Sequence, residues 1–506
     1  MTDKSPLPPD SPALRDESRL SGWAEGLGSP ADRRAASELI GQSLAKGIPM
    51  TFQGARTGLR GAGVPNGGLI VGAARLDRVE GLRRGQWGFE LLVQPGYRLA
   101  DLRRDLATRR PNLAASQAEP EALKELLAEF RAEELFWPPD PSETSATMGG
   151  LASTNASGPN RSRFGRAADH LSGLRVILHD GQEYNLERGA FKFGPQGLPL
   201  PTGRLLEADP KALGLPPEAD LLDLLAGGQG MYGFISGLWL KLAKAPAHLW
   251  GLVFFPDSEE KAVSLIEAIL DDPPEALISL DFLDLPSLSV VSVLRQSAKK
   301  LREIPEPPTG AASAVSLELM ADDESLIESA SERIIQNCLD RGCDPDQSWA
   351  LVGTEVEKSR LFAHAVPEGL GSLLDSVRAG GYPAVMTATD FTRPDLRFGQ
   401  NLGECRRDLR EMGLTAVTFG HALDNHLSVN FLPKNAEEAK RATELMGHWL
   451  ERAKNAGGEL FFGQGVGKLK KELFLAHESP ERIASLRAAK KALDPNGLFN
   501  PGNLFD

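Results

Sequence analysis

Residues 138–165 read PPDPSETSATMGGLASTNASGPNRSRFG. A rigid Pro-Pro-Asp-Pro corner leads into the pair Gly149-Gly150 and then into the run Thr154-Asn155-Ala156-Ser157-Gly158. From Ala152 to Gly158 there is no large side chain. Gly and Ala leave room for backbone to approach another group closely, and Ser, Thr and Asn offer short hydrogen bonds. A stretch of this kind is expected to line a large planar or phosphate-bearing cofactor.

Working outward, residues 53–63 read QGARTGLRGAG, between the apolar runs Ile48–Phe52 and Leu69–Val71. Glycines in a strand-to-turn setting expose consecutive backbone N–H groups, which form an anion-binding concavity. Arg56 and Arg60 add positive charge. Two readings stay open for this loop: a pyrophosphate cradle, or a tight hairpin whose arginines face water. A dinucleotide fingerprint of the G-x-G-x-x-G type is excluded, because Gly61-Ala62-Gly63 runs into Val-Pro-Asn and cannot open a helix. Residues 463–468, GQGVGK, are not a phosphate-binding P-loop either: Phe462 stands where its first Gly belongs, and Leu469 where Ser or Thr would bind magnesium.

The 506 residues imply at least two domains. A net charge of −13 argues against a nucleic-acid surface. No apolar run approaches the roughly 18 residues of a membrane span. The start MTDKSPLPPDSPALRDESRL resembles neither a secretory signal nor a transit peptide, so a cytoplasmic location is expected by default. The three cysteines, Cys338, Cys343 and Cys405, lack the spacing of an iron–sulfur ligand run and are expected to be buried free thiols.

Residues 1–28, rich in Pro, Ser and Asp, are expected to be a disordered tail. Ser29-Pro30 is expected to open a helix that Gly47 ends. Up to residue 245 the pattern is short strands, Gly-rich turns and occasional helices. After Pro246, strand-like runs at 251–255 and 314–319 alternate with helical periodicity at about 258–270, 323–341 and 435–454. That order predicts an α+β domain with helices on one face of a sheet.

These segments together resemble a known family. QGARTGLRGAG resembles the R-G-G-G-T-G-L-S-G loop of flavoproteins of the vanillyl-alcohol oxidase type. Residues 138–165 resemble their P-D-P…G-G-x-x-x-x-N-x-x-G…R-Y-G flavin loop. Gly227–Ser236, GGQGMYGFIS, resembles G-S-E-G-T-L-G-I-I-T, and Leu493–Asn503 is similar to L-D-P-x-G-I-L-N-P-G-K. The resemblance implies an α+β fold: an FAD-binding domain of the PCMH type, made of two α+β subdomains, over 29–245. A ferredoxin-like α+β FAD-linked oxidase C-terminal domain, covering the flavin and the substrate, would follow over 246–506. It implies FAD at Gly54, Ala55, Arg56, Thr57, Gly58, Leu59 and Gly61, and along Pro139, Asp140, Thr147, Gly149, Gly150, Thr154, Asn155, Gly158, Phe164 and Gly165. Gly230, Gly233, Ile235 and Asn500 would complete the cofactor site. Members with covalent FAD commonly attach it through a His in the first loop; Ala55-Arg56 stand there, so FAD is expected to be non-covalent. The subgroup resembled contains the glycolate oxidase flavin subunit, D-lactate dehydrogenase and D-2-hydroxyglutarate dehydrogenase. It implies oxidation of a small 2-hydroxy acid, with electrons passed to a separate acceptor or iron–sulfur subunit.

The subgroup's catalytic signature, G-H-x-G-D-G-N-x-H-x-N followed by E-H-G, is only partly kept. The chain reads Gly420–Asn430 as GHALDNHLSVN, and Gly463-Gln464-Gly465 in place of E-H-G. Ser428 replaces the second His and the Glu is lost, so no metal site is expected, since a catalytic zinc usually has three protein ligands. His421 is then expected to be the base for the hydroxyl proton, oriented by Asp424, with Asn430 retained nearby. Arg397 or Arg393 is expected to bind the substrate carboxylate. His426 is expected to point to the opposite strand face from Ser428. Gln229 replaces the family's Glu. The competing reading is a non-catalytic flavin-binding subunit of a larger oxidoreductase complex. A third is a metal-free flavin oxidase acting on another alcohol.

Overall fold

The computed structural model describes residues 2–3, 6–111, 113, 121–139 and 141–505. The expected cofactor residue Asp140 lies outside the described residues. The chain divides into two compact units. The first comprises Met1–Ser157, Gly165–Ala245 and Gly465–Asp506; the second comprises Gly158–Phe164 and Pro246–Gln464. The division after Ala245 falls where the sequence changes texture. The segment from Gly465 on, expected with the C-terminal domain, instead packs into the first unit, where Lys468 and Leu469 donate their amides to Arg60 O.

Within the first unit, Met50–Gln53 pairs in parallel with Leu69–Gly72, which pairs in parallel with Gly26–Gly28. The helix Arg33–Ala45 covers this sheet. Asp32 caps it, accepting from the Ala35 amide at 2.8 Å, and Gly47 follows its last turn at φ +63°. Its buried Ala36 and Ile40 meet Met50, Val71 and Phe499. Phe52 packs edge-on against Phe234 at 5.2 Å and against Phe499 at 5.3 Å between ring centroids. The C-terminal turn that delivers Phe499 is built on Asp494, whose carboxylate accepts from the amides of Leu498 and Phe499 and from Lys490 Nζ.

The N-terminal stretch corrects the expectation of a disordered tail. Ala13, Leu14 and Ala24 are buried against Ile70, with Leu7 and Leu27 packed beside them, and Asp16 and Ser18 are buried as well. Composition over the whole stretch obscured these few apolar anchors, which are enough to hold a short arm when a sheet edge is available.

The first unit also contains a five-stranded antiparallel sheet, in the order Val79–Gly85, Gly88–Val93, Phe234–Lys241, Leu171–Ile177, Glu183–Glu187. The last two of these strands form a hairpin whose turn has Gly181 at φ +76°.

The second unit is built on a seven-stranded antiparallel sheet. Its order is Trp349–Val352, His248–Phe254, Ser313–Ala321, Leu277–Asp284, Ala416–His421, His426–Phe431, Thr387–Thr392. The helices Glu259–Asp271, Glu324–Asp340 and Ala436–Asn455 match the three periodic segments read from the sequence. Each is amphipathic and buries its apolar stripe, as Leu265, Ile266 and Ile269 do on the first. Among the described residues no helix is long and apolar enough to cross a membrane.

Candidate functional site

The first-unit loops that carry the cofactor motifs are shaped by glycine. The chain leaves Met50–Gln53 into residues 54–61, where Arg56 sits at φ +62° and Gly61 at φ +75°. Among the described residues, none of the amides of Gly54–Leu59 donates to a main-chain carbonyl. A run of amides outside any ladder suits an anion such as a pyrophosphate. Gly58 is exposed, while Gly54, Ala55, Arg56, Thr57 and Leu59 are half-buried.

The second loop meets the first at a place where only glycine fits. A Cβ on Gly54 would lie 2.2 Å from Thr147 Oγ1, and one on Gly149 would lie 2.6 Å from Pro95 Cβ. Thr147, buried, caps the helix Met148–Ser153 and accepts from the Gly150 amide at 3.3 Å. Thr154 is exposed and its hydroxyl bonds back to Gly150 O at 3.0 Å. Asn155, at φ +47°, accepts the Ala168 amide at 2.9 Å. Pro139 is buried. Gly165, at φ +76°, lies against Asp169, which leaves no room for a Cβ. Gly158 and Phe164 bound the short segment that belongs to the second unit.

Asn500 ties these pieces together. Its Oδ1 accepts the Phe52 amide at 2.8 Å, and its Nδ2 donates to Gln229 O at 2.9 Å. It is buried, and it sits so close to Gly230 that a Cβ there would come within 2.6 Å of Asn500 Nδ2. Asn500 therefore holds the start of the first loop to the 227–233 loop. Gln229, in place of the family's Glu, accepts the Gly467 amide through its side-chain oxygen at 3.2 Å. Gly233 and Ile235, both buried, lead into and lie on the strand Phe234–Lys241.

In the second unit, His421 ends the strand Ala416–His421. A turn through Asn425, at φ 46° and ψ 40°, returns the chain as His426–Phe431. A Cβ on Gly420 would lie 2.0 Å from His426 O, which explains the Gly-His pair. The partner of His421 is not the expected Asp424 but Asp281, whose Oδ1 is 2.6 Å from His421 Nδ1. Asp281 is the register partner of His421 on the neighbouring strand Leu277–Asp284. Burial alone would lower the imidazole's pKa, but the Asp281 carboxylate, by charge and hydrogen bond, and then Asp424, by charge alone, hold it above the ordinary value. Asp424 thus acts on His421 through its charge. The His421 side chain remains 29% exposed and accessible.

His426 corrects another expectation. Residues 426, 428 and 430 are two apart on one strand and share a face. The His426 ring stacks on His421 at 5.3 Å and on Phe462 at 4.6 Å. Arg161 caps the stack, its guanidinium carbon 3.4 Å from the Phe462 ring centroid, while its Nη2 binds both Glu459 carboxylate oxygens at 2.9 and 3.0 Å.

The positions where the family places metal ligands are filled by a neutral pair. Gln464 Nε2 donates to Ser428 Oγ at 2.9 Å, and Asn430 Nδ2 donates to the same hydroxyl at 3.2 Å and to Val417 O at 3.3 Å. Asn430 is thus buried and committed to the strand pair. Asp390 Oδ2 accepts the amides of Gly463 and Gln464 at 2.6 and 3.0 Å, fixing the turn that replaces E-H-G. Among the described residues no group of three or more His, Cys, Asp and Glu side chains converges on one point. The donor set does not fit a divalent metal.

The arginines chosen by sequence proximity lie elsewhere. Arg397 caps the helix Phe398–Glu411, half exposed, and pairs with Asp271 at 2.9 Å and Glu267 at 3.4 Å. Arg393 is buried and paired with Asp395 and Glu404. Sequence reasoning missed Asp281 and Arg161, and read Gln464 only as the loss of a ligand. The available signals were a lone acid inside the otherwise apolar run LISLDFL and an Arg directly after the small-residue loop.

Residues 246–504 match the family model for FAD linked oxidases, C-terminal domain, and residues 121–187 match an FAD binding domain. A D-lactate dehydrogenase of Anaerostipes hadrus is 24% identical over 90% of this chain and 84% of its own length. The glycolate oxidase subunit GlcD of Escherichia coli strain K12 is 26% identical over 90% of this chain and 78% of its own. An alkyldihydroxyacetonephosphate synthase structure superposes with a TM-score of 0.58 at 12% identity, covering 95% of this chain and 78% of that one, which supports the fold alone.

Proposed function

The chain belongs to the family of FAD-linked oxidases, its cofactor is FAD, and from that membership we propose a dehydrogenase that oxidises a 2-hydroxy acid of the D-lactate or glycolate type to the 2-oxo acid. The activities for which the relatives are named support the substrate class. The single observation that carries the chemistry is the 2.6 Å contact between His421 Nδ1 and Asp281 Oδ1.

Bound FAD supplies the acceptor for the substrate hydride. The chain's own residues handle the proton. Asp281 fixes the tautomer with hydrogen on Nδ1, which leaves the Nε2 lone pair to take the hydroxyl proton. The resulting imidazolium is stabilised by the same carboxylate that raises the pKa of His421. No step passes through a metal, because Ser428 and Gln464, joined by a hydrogen bond, stand where the ligands would be. Arg393 and Arg397 are committed to ion pairs away from His421. Arg161, itself paired with Glu459, is a cation whose charge acts on His421. Electrons leave to a separate acceptor or partner subunit.

The Ser428–Gln464 pair also favours a second reading, a flavin-binding subunit that no longer turns over substrate. An anaerobic visible spectrum, titrated with D-lactate, glycolate and D-2-hydroxyglutarate, separates the two. Flavin bleaching by one acid, lost in His421→Gln with FAD still bound, supports the dehydrogenase. A yellow protein that none of the three reduces supports the subunit.

A further inference from the structure

The end of the helix Glu324–Asp340 places two thiols side by side, far in sequence from His421 and the cofactor loops. Gly342, at φ +66°, follows the cap residue Arg341. The Gly342 amide donates to Leu339 O at 2.9 Å and the Cys343 amide donates to Cys338 O at 3.0 Å. These are the two crossed bonds of a Schellman motif, in which the third-last helical residue and the second residue past the cap bring their side chains into contact. In most helices that contact is a pair of aliphatic groups. Here both positions are cysteine, and both are buried free thiols.

The surroundings differentiate the two. Lys261 Nζ donates to Gly342 O at 2.8 Å and to Asp257 at 2.9 Å, which puts an ammonium beside the turn. Arg341 is anchored on the same side, Nε to Ser264 O at 2.9 Å. The hydrogen bond from Cys338 pulls the Cys343 thiol down, to about 7, against burial, with Lys261 and Arg341 assisting and Asp257 opposing. Cys338 is pushed up, first by that hydrogen bond and then by its burial. One thiol is poised as the nucleophile and its neighbour as the resolving group. Cys405, also buried, is pushed up to about 12 by its burial.

We propose that Cys338 and Cys343 form a reversible dithiol–disulfide site that reacts with hydroperoxides. The Cys343 thiolate attacks the outer peroxide oxygen; the O–O bond breaks, an S–O bond forms, and the alcohol or water leaves with a proton. The Cys338 thiol then displaces water from the Cys343 sulfenic acid, closing the S–S bond. The pair loses two electrons and two protons, and the peroxide takes them up as one alcohol or water molecule plus the water released on closure. An external thiol reverses the reaction by exchange. The site is independent of the FAD reading: the turn and its thiols stand whether or not the chain oxidises a hydroxy acid.

The test uses the full-length protein, reduced and then treated with hydrogen peroxide under native conditions, with peptide mapping after alkylation. The expected result is loss of two hydrogen masses, a Cys338–Cys343 linked peptide, Cys405 still alkylated, and full return on adding dithiothreitol. In Cys338→Ser the sulfenic acid at Cys343 persists and is trapped by dimedone. In Cys343→Ser, linkage and dimedone adduct are both absent. A disulfide that involves Cys405, irreversible sulfinic acid at Cys343 without linkage, or unchanged thiols after treatment would each overturn the proposal. The wild-type mass readout decides it even where a serine variant folds poorly.

Discussion

His421 Nδ1 and Asp281 Oδ1 lie 2.6 Å apart on adjacent antiparallel strands, at positions that face each other in register. Directly opposed residues share a sheet face, so the pair is fixed by backbone pairing as much as by its own hydrogen bond. The neighbouring strand is buried along its whole length from Leu277 to Asp284, which leaves Asp281 no competing solvent contact of consequence. A carboxylate held there orients one ring nitrogen and frees the other.

Asp281→Asn tests that arrangement. The base works as neutral imidazole, so kcat/KM rises with pH through the raised His421 pKa. The amide removes the charge that raises it, so the midpoint of the profile moves to lower pH. Loss of orientation and of imidazolium stabilisation lowers kcat by about 10²-fold or more. The flavin spectrum and FAD content stay as in the wild type. A profile with an unmoved midpoint would show that Asp281 does not act on the base. The same coupling appears in stability. The raised pKa means the pair's contribution is complete below the unfolded histidine pKa and is lost as pH rises through the folded one. The difference in urea midpoint between wild type and Asp281→Asn therefore shrinks toward alkaline pH.

The Ser428–Gln464 hydrogen bond leads to a chelation experiment. Prolonged dialysis against EDTA leaves the rate of anaerobic flavin reduction unchanged, and added zinc or manganese does not raise it. Stopped-flow absorbance gives both rates. A chelator-sensitive rate restored by one metal would overturn the metal-free mechanism.

The close packing of the loops proposed to hold the cofactor was legible because small residues and glycine are a steric signal that survives in one dimension. Gly54, Gly149 and Gly230 each stand where a Cβ would collide with Thr147, Pro95 or Asn500. His421 was legible through its motif. Asp281 was not, because it lies 140 residues away and only strand pairing joins the two. Arg397 was misplaced for the converse reason: closeness in sequence to the His421 strand says nothing of Asp271 and Glu267, the charges that claim it. The N-terminal arm was misread because Pro and Asp dominated its composition, while Leu14 and Ala24 do the packing.

Phe499→Ala probes the link between core and cofactor loops. Phe499 is fully buried beside Ile40, Met50 and Phe52, and removing its ring is expected to cost about 3–5 kcal/mol. The next residue is Asn500, which holds Phe52 and Gln229. FAD retention after gel filtration should therefore fall along with the melting temperature. In Leu265→Ala, a comparable cavity in the second unit, stability falls but FAD retention is preserved. Equal loss of FAD in both variants would show that retention merely follows global stability.

Asp16 offers a pH test of the arm beneath the first loop. Its carboxylate accepts from the Ser18 hydroxyl and, at 3.0 Å, from the Ser18 amide, and a Cβ on Gly58 would lie 3.6 Å from its Oδ2. The adjoining Glu17 amide donates to Arg56 O at 3.2 Å, which fastens arm to loop. Burial pushes the Asp16 pKa up to about 6, against the lowering effects of Ser18, the Gly61 amide and Lys468. A carboxyl whose pKa is raised on folding contributes stability only where it is protonated. That contribution is complete below the unfolded value near 4 and is lost as pH rises through about 6. At pH 8 the buried charge thus lowers stability by up to about 3 kcal/mol. Asp16→Asn keeps the shape and removes the charge. Its urea midpoint should exceed that of the wild type at pH 8, the gain should narrow through pH 6, and it should vanish by about pH 4. A gain that does not change with pH would assign the effect to packing instead of ionisation.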